Sequence, residues 1–172
     1  MLAPYVRRSE GEKWMIREAY AAATACFVDT VAQVEETQWD QPGLGEWTVR
    51  DLVGHTSRAL LTVETYVDNP ADKVEVERPV DYFLRAQAAL ANPAAVAERG
   101  REAGRALGAD PAGMVRDIAT RVFARLQEVP DAALVGTPVG GMRLIDYLPS
   151  RVFELVVHTL DLAAALSLGG CP

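Results

Sequence analysis

Cysteine, lysine and histidine are scarce in this chain of 172 residues, and each shortage limits what the protein can be. The two cysteines, Cys26 and Cys171, lie far apart in the sequence, so neither a disulfide framework nor a cysteine-based metal knuckle is expected. Cys26 falls on an apolar helical pattern, which predicts a buried and inert thiol. A chain with so few cysteines is expected in a reducing cytoplasm.

Positive charge and long apolar runs are also lacking. Lysine and arginine together number 17 against 24 acidic residues, so the net charge is -7, and no basic run stands out. Nucleic acids and anionic membranes are bound through clustered basic residues, so both partners are disfavoured. No apolar run reaches the roughly 18 residues of a transmembrane helix, and the N-terminus lacks the apolar stretch of a signal peptide.

Helical periodicity dominates the chain, whereas the alternating patterns of strands are nearly absent. Capping signals predict helices over about 10–36, 48–66, 80–107 with an interruption at 92–93, 110–128 and 144–168. Residues 129–142 are rich in glycine and proline and fit a loop or a short hairpin. The sequence therefore predicts an all-α protein, a four-helix bundle with a short extra helix and a long loop before the last helix.

The two histidines, His55 and His158, both lie within helical patterns among apolar neighbours. Glu154 precedes His158 by four residues and shares its helix face, and Arg151 and Asp161 extend this polar stripe in both directions. Polar groups on an otherwise apolar helix need partners inside the fold. His55 shares the inward face of its own helix with three apolar residues, Leu52, Ala59 and Val63.

One interpretation is a metal site formed by His55, Glu154 and His158 in the interior of the bundle. Two imidazoles and one carboxylate suit zinc, and also nickel or iron(II). Three protein ligands leave a coordination position open, which is typical of a catalytic site. Asp161 would be a fourth ligand or would orient a ligand, and Arg151 would hold Glu154 or bind an anion.

Structural explanations of the same residues stay open. A buried histidine is more often a hydrogen-bonded core residue than a metal ligand, and Glu154 with His158 is also the spacing of a simple hydrogen-bonded pair. Arg151 and Glu154 have the spacing of an ion pair within one helix. Trp47, in the loop before the second helix, is predicted to pack in the core or in a lid.

Two segments, GEWTVRDLVGHTSRALL and RVFELVVHTLDLAAAL, resemble the DinB-like superfamily. More narrowly, they resemble the N-terminal metal-binding domain of mycothiol-dependent maleylpyruvate isomerases. The resemblance implies a DinB-like four-helix bundle that binds a divalent metal, usually zinc, through His55, Glu154 and His158. It also implies that the open metal position receives a low-molecular-weight thiol, mycothiol in actinobacteria. Arg151 and Asp161 match further positions of the closing motif.

The isomerases carry a further C-terminal domain, whereas this chain is expected to be a single domain over 1–172. The resemblance therefore implies an isomerase-like or thiol S-transferase enzyme that activates the thiol for attack on an electrophilic substrate. In that enzyme Asp161 would orient a group or accept a proton, and Arg151 would bind the anionic substrate or the cofactor.

Two other functions are compatible with the same ligand set. The protein would be a metal-binding or regulatory module without turnover, or a metal-dependent hydrolase with water as the nucleophile. Helical bundles of this kind often dimerise, so a homodimer is also expected. The sequence alone does not separate these functions, because all three use the same three ligands.

Overall fold

A computed structural model of the chain describes residues 8–90 and 92–169. Six α-helices make up most of this part: α1 (Glu10–Val31), α2 (Val49–Val67), α3 (Pro79–Leu90), α4 (Pro93–Ala106), α5 (Pro111–Glu128) and α6 (Leu144–Ala165). Two small antiparallel hairpins pair β1 (Pro42–Leu44) with β2 (Trp47–Thr48), and β3 (Leu134–Thr137) with β4 (Gly140–Arg143). The mostly helical class is therefore confirmed, whereas the division into four bundle helices and one extra helix stays a prediction.

The helices begin at the caps that the sequence predicts. The side chains of Ser9 and Thr48 accept the backbone N–H of the residue three positions on, and α1 and α2 each carry the reciprocal bond of a capping box. Asn92 and Asp110 cap α4 and α5 in the same way, each followed by a proline in the first helical turn. Local sequence thus sets where these four helices start. Across residues 8–90 and 92–169, no helix has the length and apolar character needed to cross a membrane.

Two predictions for the first helix are wrong. The helix ends at Val31, short of residue 36, because the backbone N–H of Glu35 donates to the Gln38 side chain at 2.9 Å and starts a separate 3-10 helix there. Cys26 is half-buried and disulfide-bonded, so it is not an inert thiol in the core. Cys171 lies outside the described residues.

The long loop predicted before the last helix is instead the β3–β4 hairpin, which pairs Thr137 with Gly140 across a two-residue turn. A Cβ atom on Gly141 would lie 2.2 Å from the carbonyl oxygen of Lys73, so this strand packs directly on the backbone that follows α2. Glycine at this position therefore permits a strand to pack closely on a neighbouring backbone, although a glycine-rich segment is also typical of a loop.

The core is organised around α2, which packs against α4, α5 and α6, while α1 covers α5 and α6. The contact between α2 and α4 is made by backbone: a Cβ atom on Gly54 would lie 2.1 Å from the amide nitrogen of Gly104. Side chains along α2 are fully buried on this core, among them Leu52, Val53 and Leu60. Because Gly54 immediately precedes His55, the contact of α2 with α4 sets the position of that histidine.

Replacing Gly54 with alanine tests this contact. We expect Gly54→Ala to lower the free energy of unfolding by about 1–3 kcal/mol, because the new methyl group meets backbone that cannot rotate away. Gly11→Ala is the matched control, since a Cβ atom at Gly11 meets nothing within 4 Å. That control should be neutral or stabilising by up to about 1 kcal/mol. Equal urea-unfolding midpoints for the two variants would contradict a tight helix contact.

Candidate metal centre

His55, Glu154 and His158 converge in the interior between α2 and α6. One potential ligand atom from each side chain lies within 4.8 Å of those of the other two. The two imidazole rings are 4.8 Å apart at their centroids and nearly perpendicular. All three residues are half-buried. The packing of two distant segments thus brings together the three side chains that the sequence singles out.

His158 lies between two carboxylates. Its Nε2 atom is 3.4 Å from Glu154 Oε2, and its Nδ1 atom is 3.1 Å from Asp161 Oδ2. Burial alone would lower the pKa of His158, but the two carboxylates outweigh burial and raise this pKa. Burial would likewise raise the pKa of Glu154, yet its hydrogen bond with His158 and the charge of Arg151 lower it. Asp161 therefore fixes the ring through Nδ1 and leaves Nε2 facing Glu154.

His55 has the opposite electrostatic environment. Burial, and next the positive charge of a protonated His158, lower the pKa of His55 to about 4. Its Nδ1 atom is buried and has no hydrogen-bond partner within the described ranges. Trp47 packs on the ring with centroids 4.4 Å apart, and the Trp47 indole N–H donates to the carbonyl of Ala97 at 3.0 Å. The imidazole is thus neutral near pH 7 and held in place from one side.

These three side chains fit a divalent cation. A buried imidazole nitrogen without a partner is costly, and a carboxylate beside a second imidazole completes a donor set of the kind that zinc, nickel and iron(II) accept. The carboxylate of Asp161 on the far nitrogen of His158 is the usual outer partner of a metal-binding histidine.

Arg151 is buried, at 8% relative exposure, on the same stripe of α6. Its guanidinium lies 4.9 Å from the centroid of the Tyr147 ring and 5.4 Å from that of Tyr82, and its Nε atom donates to Ser150 Oγ at 3.0 Å. No ion pair joins it to Glu154 within residues 8–90 and 92–169, so the ion pair predicted from their spacing is absent. Arg151 acts on Glu154 through its charge alone.

A cavity of about 380 Å³ opens beside the cluster and is lined by His55, Glu154 and Arg151. Asp161 does not line this cavity, so its contact is with His158 and not with a molecule that occupies the cavity. Two further arginines, Arg58 on α2 and Arg99 on α4, line the same space.

Sequence reasoning missed Trp47, Arg58 and Arg99 as site residues. Arg58 follows His55 by three residues, so helical spacing alone could have placed it next to the histidine. Trp47 precedes His55 by eight residues and lies in strand β2, before α2 begins, and Arg99 lies on another helix, so neither has a local signal. Their proximity to His55 follows from the packing of α2 against α4.

Comparison with known proteins agrees with this geometry. The family model described as the mycothiol maleylpyruvate isomerase N-terminal domain matches residues 20–163, which is most of the chain. The chain belongs to this family. The matched region contains the first segment and residues 151–163 of the second, which include Glu154 and His158, and the predicted resemblance is therefore confirmed. No curated protein and no solved structure gives a significant match to this family member.

The two histidines allow a direct test of the site's electrostatics. In metal-free protein we expect His158 to remain protonated above pH 6.5, whereas His55 should stay neutral down to about pH 4. Asp161→Asn should move the His158 titration to lower pH, because one of the two carboxylates that raise its pKa is removed. Nitrogen-15 NMR resolves both rings, since the chain has no other histidine. If both histidines titrated together near pH 6.5, the different environments assigned to the two rings would be contradicted.

Proposed function

We propose that the protein is a divalent-metal-dependent enzyme that activates a low-molecular-weight thiol, of which mycothiol is the type, for attack on an electrophilic substrate. The observation that carries the proposal is the convergence of His55, Glu154 and His158, of which His55 and Glu154 line a cavity. Membership of a family named for a mycothiol-dependent isomerase supports the thiol as the second reactant.

His55, Glu154 and His158 would hold the cation, with zinc the first choice and nickel or iron(II) the alternatives. A divalent cation bound there would lower the pKa of a thiol from its usual value near 8.5, so that the nucleophilic thiolate forms at neutral pH. The neutral state of His55 near pH 7 favours binding, because no proton has to leave that ring. His158 has to give up a proton, so metal affinity should fall as the pH is lowered.

The remaining residues of the site have supporting roles in this proposal. Asp161 is a positioning residue, because its carboxylate contacts His158 and orients the ring through Nδ1. Arg151 supplies positive charge to the cavity and is held by Tyr82, Tyr147 and Ser150. We place the enzyme in the cytoplasm because a thiol reactant of this kind is kept reduced there, although the disulfide at Cys26 is uncommon in that compartment. We also expect the enzyme to be a homodimer.

Removal of one ligand should abolish stoichiometric metal binding. We expect His158→Ala and Glu154→Gln to lose zinc during purification and dialysis, as measured by atomic emission. Asp161→Asn should retain the site but weaken zinc binding roughly 10- to 100-fold, the usual effect of removing an outer partner of a metal-binding histidine. Glu102→Gln removes an exposed carboxylate on α4 and is the control. Unchanged zinc content in His158→Ala would exclude this metal site.

Cobalt substitution distinguishes the three candidate functions. If the protein activates a thiol at the metal, adding mycothiol or a related thiol to the cobalt-substituted protein should shift its visible absorption spectrum, because a sulfur atom would coordinate the cobalt. A metal-dependent hydrolase would instead turn over ester or amide substrates without any thiol. A regulatory module would show neither response. A cobalt spectrum that millimolar thiol leaves unchanged would remove thiol activation from consideration.

A further inference from the structure

We propose that Trp47 is the positioning residue for His55, and that its indole ring takes the place that the Asp161 carboxylate has at His158. The inference rests on the proposed function in one respect, since it treats His55 as a metal ligand. The positioning itself is argued from contacts in the described part of the chain, and metal-free protein can test it.

The two histidines of the cluster are held in different ways. His158 has a carboxylate near each ring nitrogen, Glu154 at Nε2 and Asp161 at Nδ1. Within residues 8–90 and 92–169, His55 forms no ion pair with a carboxylate, and its Nδ1 atom has no hydrogen-bond partner. A metal-binding histidine almost always has an outer partner that fixes the direction of its ring. At His55 another contact must therefore have this role.

The indole of Trp47 makes that contact through its ring. The indole and imidazole centroids are 4.4 Å apart and the two planes are inclined by 33°, which is close to a stacked arrangement. His158 meets the same imidazole nearly edge-on, at 84°. Because the imidazole lies between these two rings, it cannot turn about its side-chain bonds without losing the stacking contact. Trp47 therefore limits the direction in which the nitrogens of His55 point.

Trp47 is itself fixed by both helices that flank it. It directly precedes Thr48, the N-cap of α2, where a capping box sets the direction of the chain. The indole N–H donates to the carbonyl of Ala97 on α4 at 3.0 Å. A Cβ atom on Gly100 would lie 2.8 Å from the indole, so glycine leaves the space that the ring occupies. An indole fixed in this way is a rigid support for a neighbouring ring.

The cavities on either side show that Trp47 acts through His55 and not on a bound molecule. His55 lines the cavity of about 380 Å³ beside the cluster, whereas Trp47 does not. Trp47 instead lines a separate and largely apolar cavity of about 370 Å³ between the β1–β2 hairpin and α4, which His55 does not line. Trp47 is therefore a positioning residue and not a catalytic one.

Zinc affinity, measured by competition with a chelator, tests the proposal with three variants. Trp47→Leu removes the ring and should weaken zinc binding roughly tenfold or more, as removal of an outer partner does. Trp47→Phe keeps an aromatic ring but loses the bond to Ala97, so its zinc affinity should stay within about threefold of the wild type. Trp39→Leu is the matched control, because Trp39 is buried in the core at 8% relative exposure and lies outside the cluster. It should lower the free energy of unfolding but leave zinc affinity within about threefold.

Metal-free protein gives a second readout that does not depend on zinc. In the wild type at pH 7 we expect a nuclear Overhauser effect between the rings of His55 and His158, whose centroids are 4.8 Å apart. This signal should weaken in Trp47→Leu but not in Trp39→Leu.

Gly100→Ala tests the same contact without changing either ring. The added methyl group should displace the indole, reduce its ring-current shift on the His55 protons and weaken zinc binding roughly threefold or more. Gly11→Ala, where a Cβ atom meets nothing within 4 Å, should change neither quantity. If Trp47→Leu does not fold, Gly100→Ala decides, because an unchanged ring-current shift with unchanged zinc affinity would contradict the proposal.

Three further results would overturn the role of Trp47. Equal zinc affinities of Trp47→Leu and Trp39→Leu, with both variants folded by circular dichroism, would show that His55 needs no ring beside it. Zinc binding as weak in Trp47→Phe as in Trp47→Leu would show that stacking is not what holds the histidine. An unchanged Overhauser effect in metal-free Trp47→Leu would show that another contact sets the direction of His55. If the wild type bound no zinc, the proposed function would fail, whereas the metal-free spectra would still decide the role of Trp47.

Discussion

The close contact between α2 and α4 determines the geometry of the site. Small residues on α4 make this contact possible. The backbone of Gly104 packs directly against α2 at Gly54, and a Cβ atom on Gly100 would lie 2.8 Å from the Trp47 ring. Trp47 in turn packs on His55 and is fixed by the carbonyl of Ala97. Because these contacts involve backbone and a rigid ring, they leave His55 little freedom to move. A larger residue on this face of α4 would displace the histidine from its partners on α6.

The electrostatics of the three side chains would favour a bound divalent cation over the metal-free cluster. His158 is shared between two carboxylates and retains a proton, whereas His55 is neutral with a buried nitrogen that lacks a partner. The two imidazoles therefore repel each other when both are charged, and burial penalises the charge further. A divalent cation would remove this conflict, since it would replace the proton on His158 and supply positive charge to Glu154. Because the metal and a proton would compete for His158, metal binding would also depend on pH.

The sequence predicts the features that depend on local spacing. Capping boxes locate the starts of α1 and α2, and the four-residue spacing of Glu154 and His158 places both on one face of α6. Features that depend on tertiary packing are not predicted. The glycines of the β3–β4 hairpin have the composition of a loop, and the neighbouring backbone explains why the strands need two of them: Gly141 packs against Lys73 and Gly136 against Asn69. Arg99 lacks any pattern linking it to His55, because their proximity results from the contact of two helices.

The three-residue metal cluster and the wall of the neighbouring cavity lie on overlapping but different elements, and this separation has a consequence for specificity. Metal binding needs residues of α2 and α6, whereas the cavity wall also draws on α3, α4 and the tip of the β3–β4 hairpin, where Pro138 lines the space. Side chains on these additional elements can change the charge and shape of the cavity without altering the three ligands. In the proposed function the ligand set would determine the class of reaction, while the side chains that line the cavity would determine which reactant fits beside the metal.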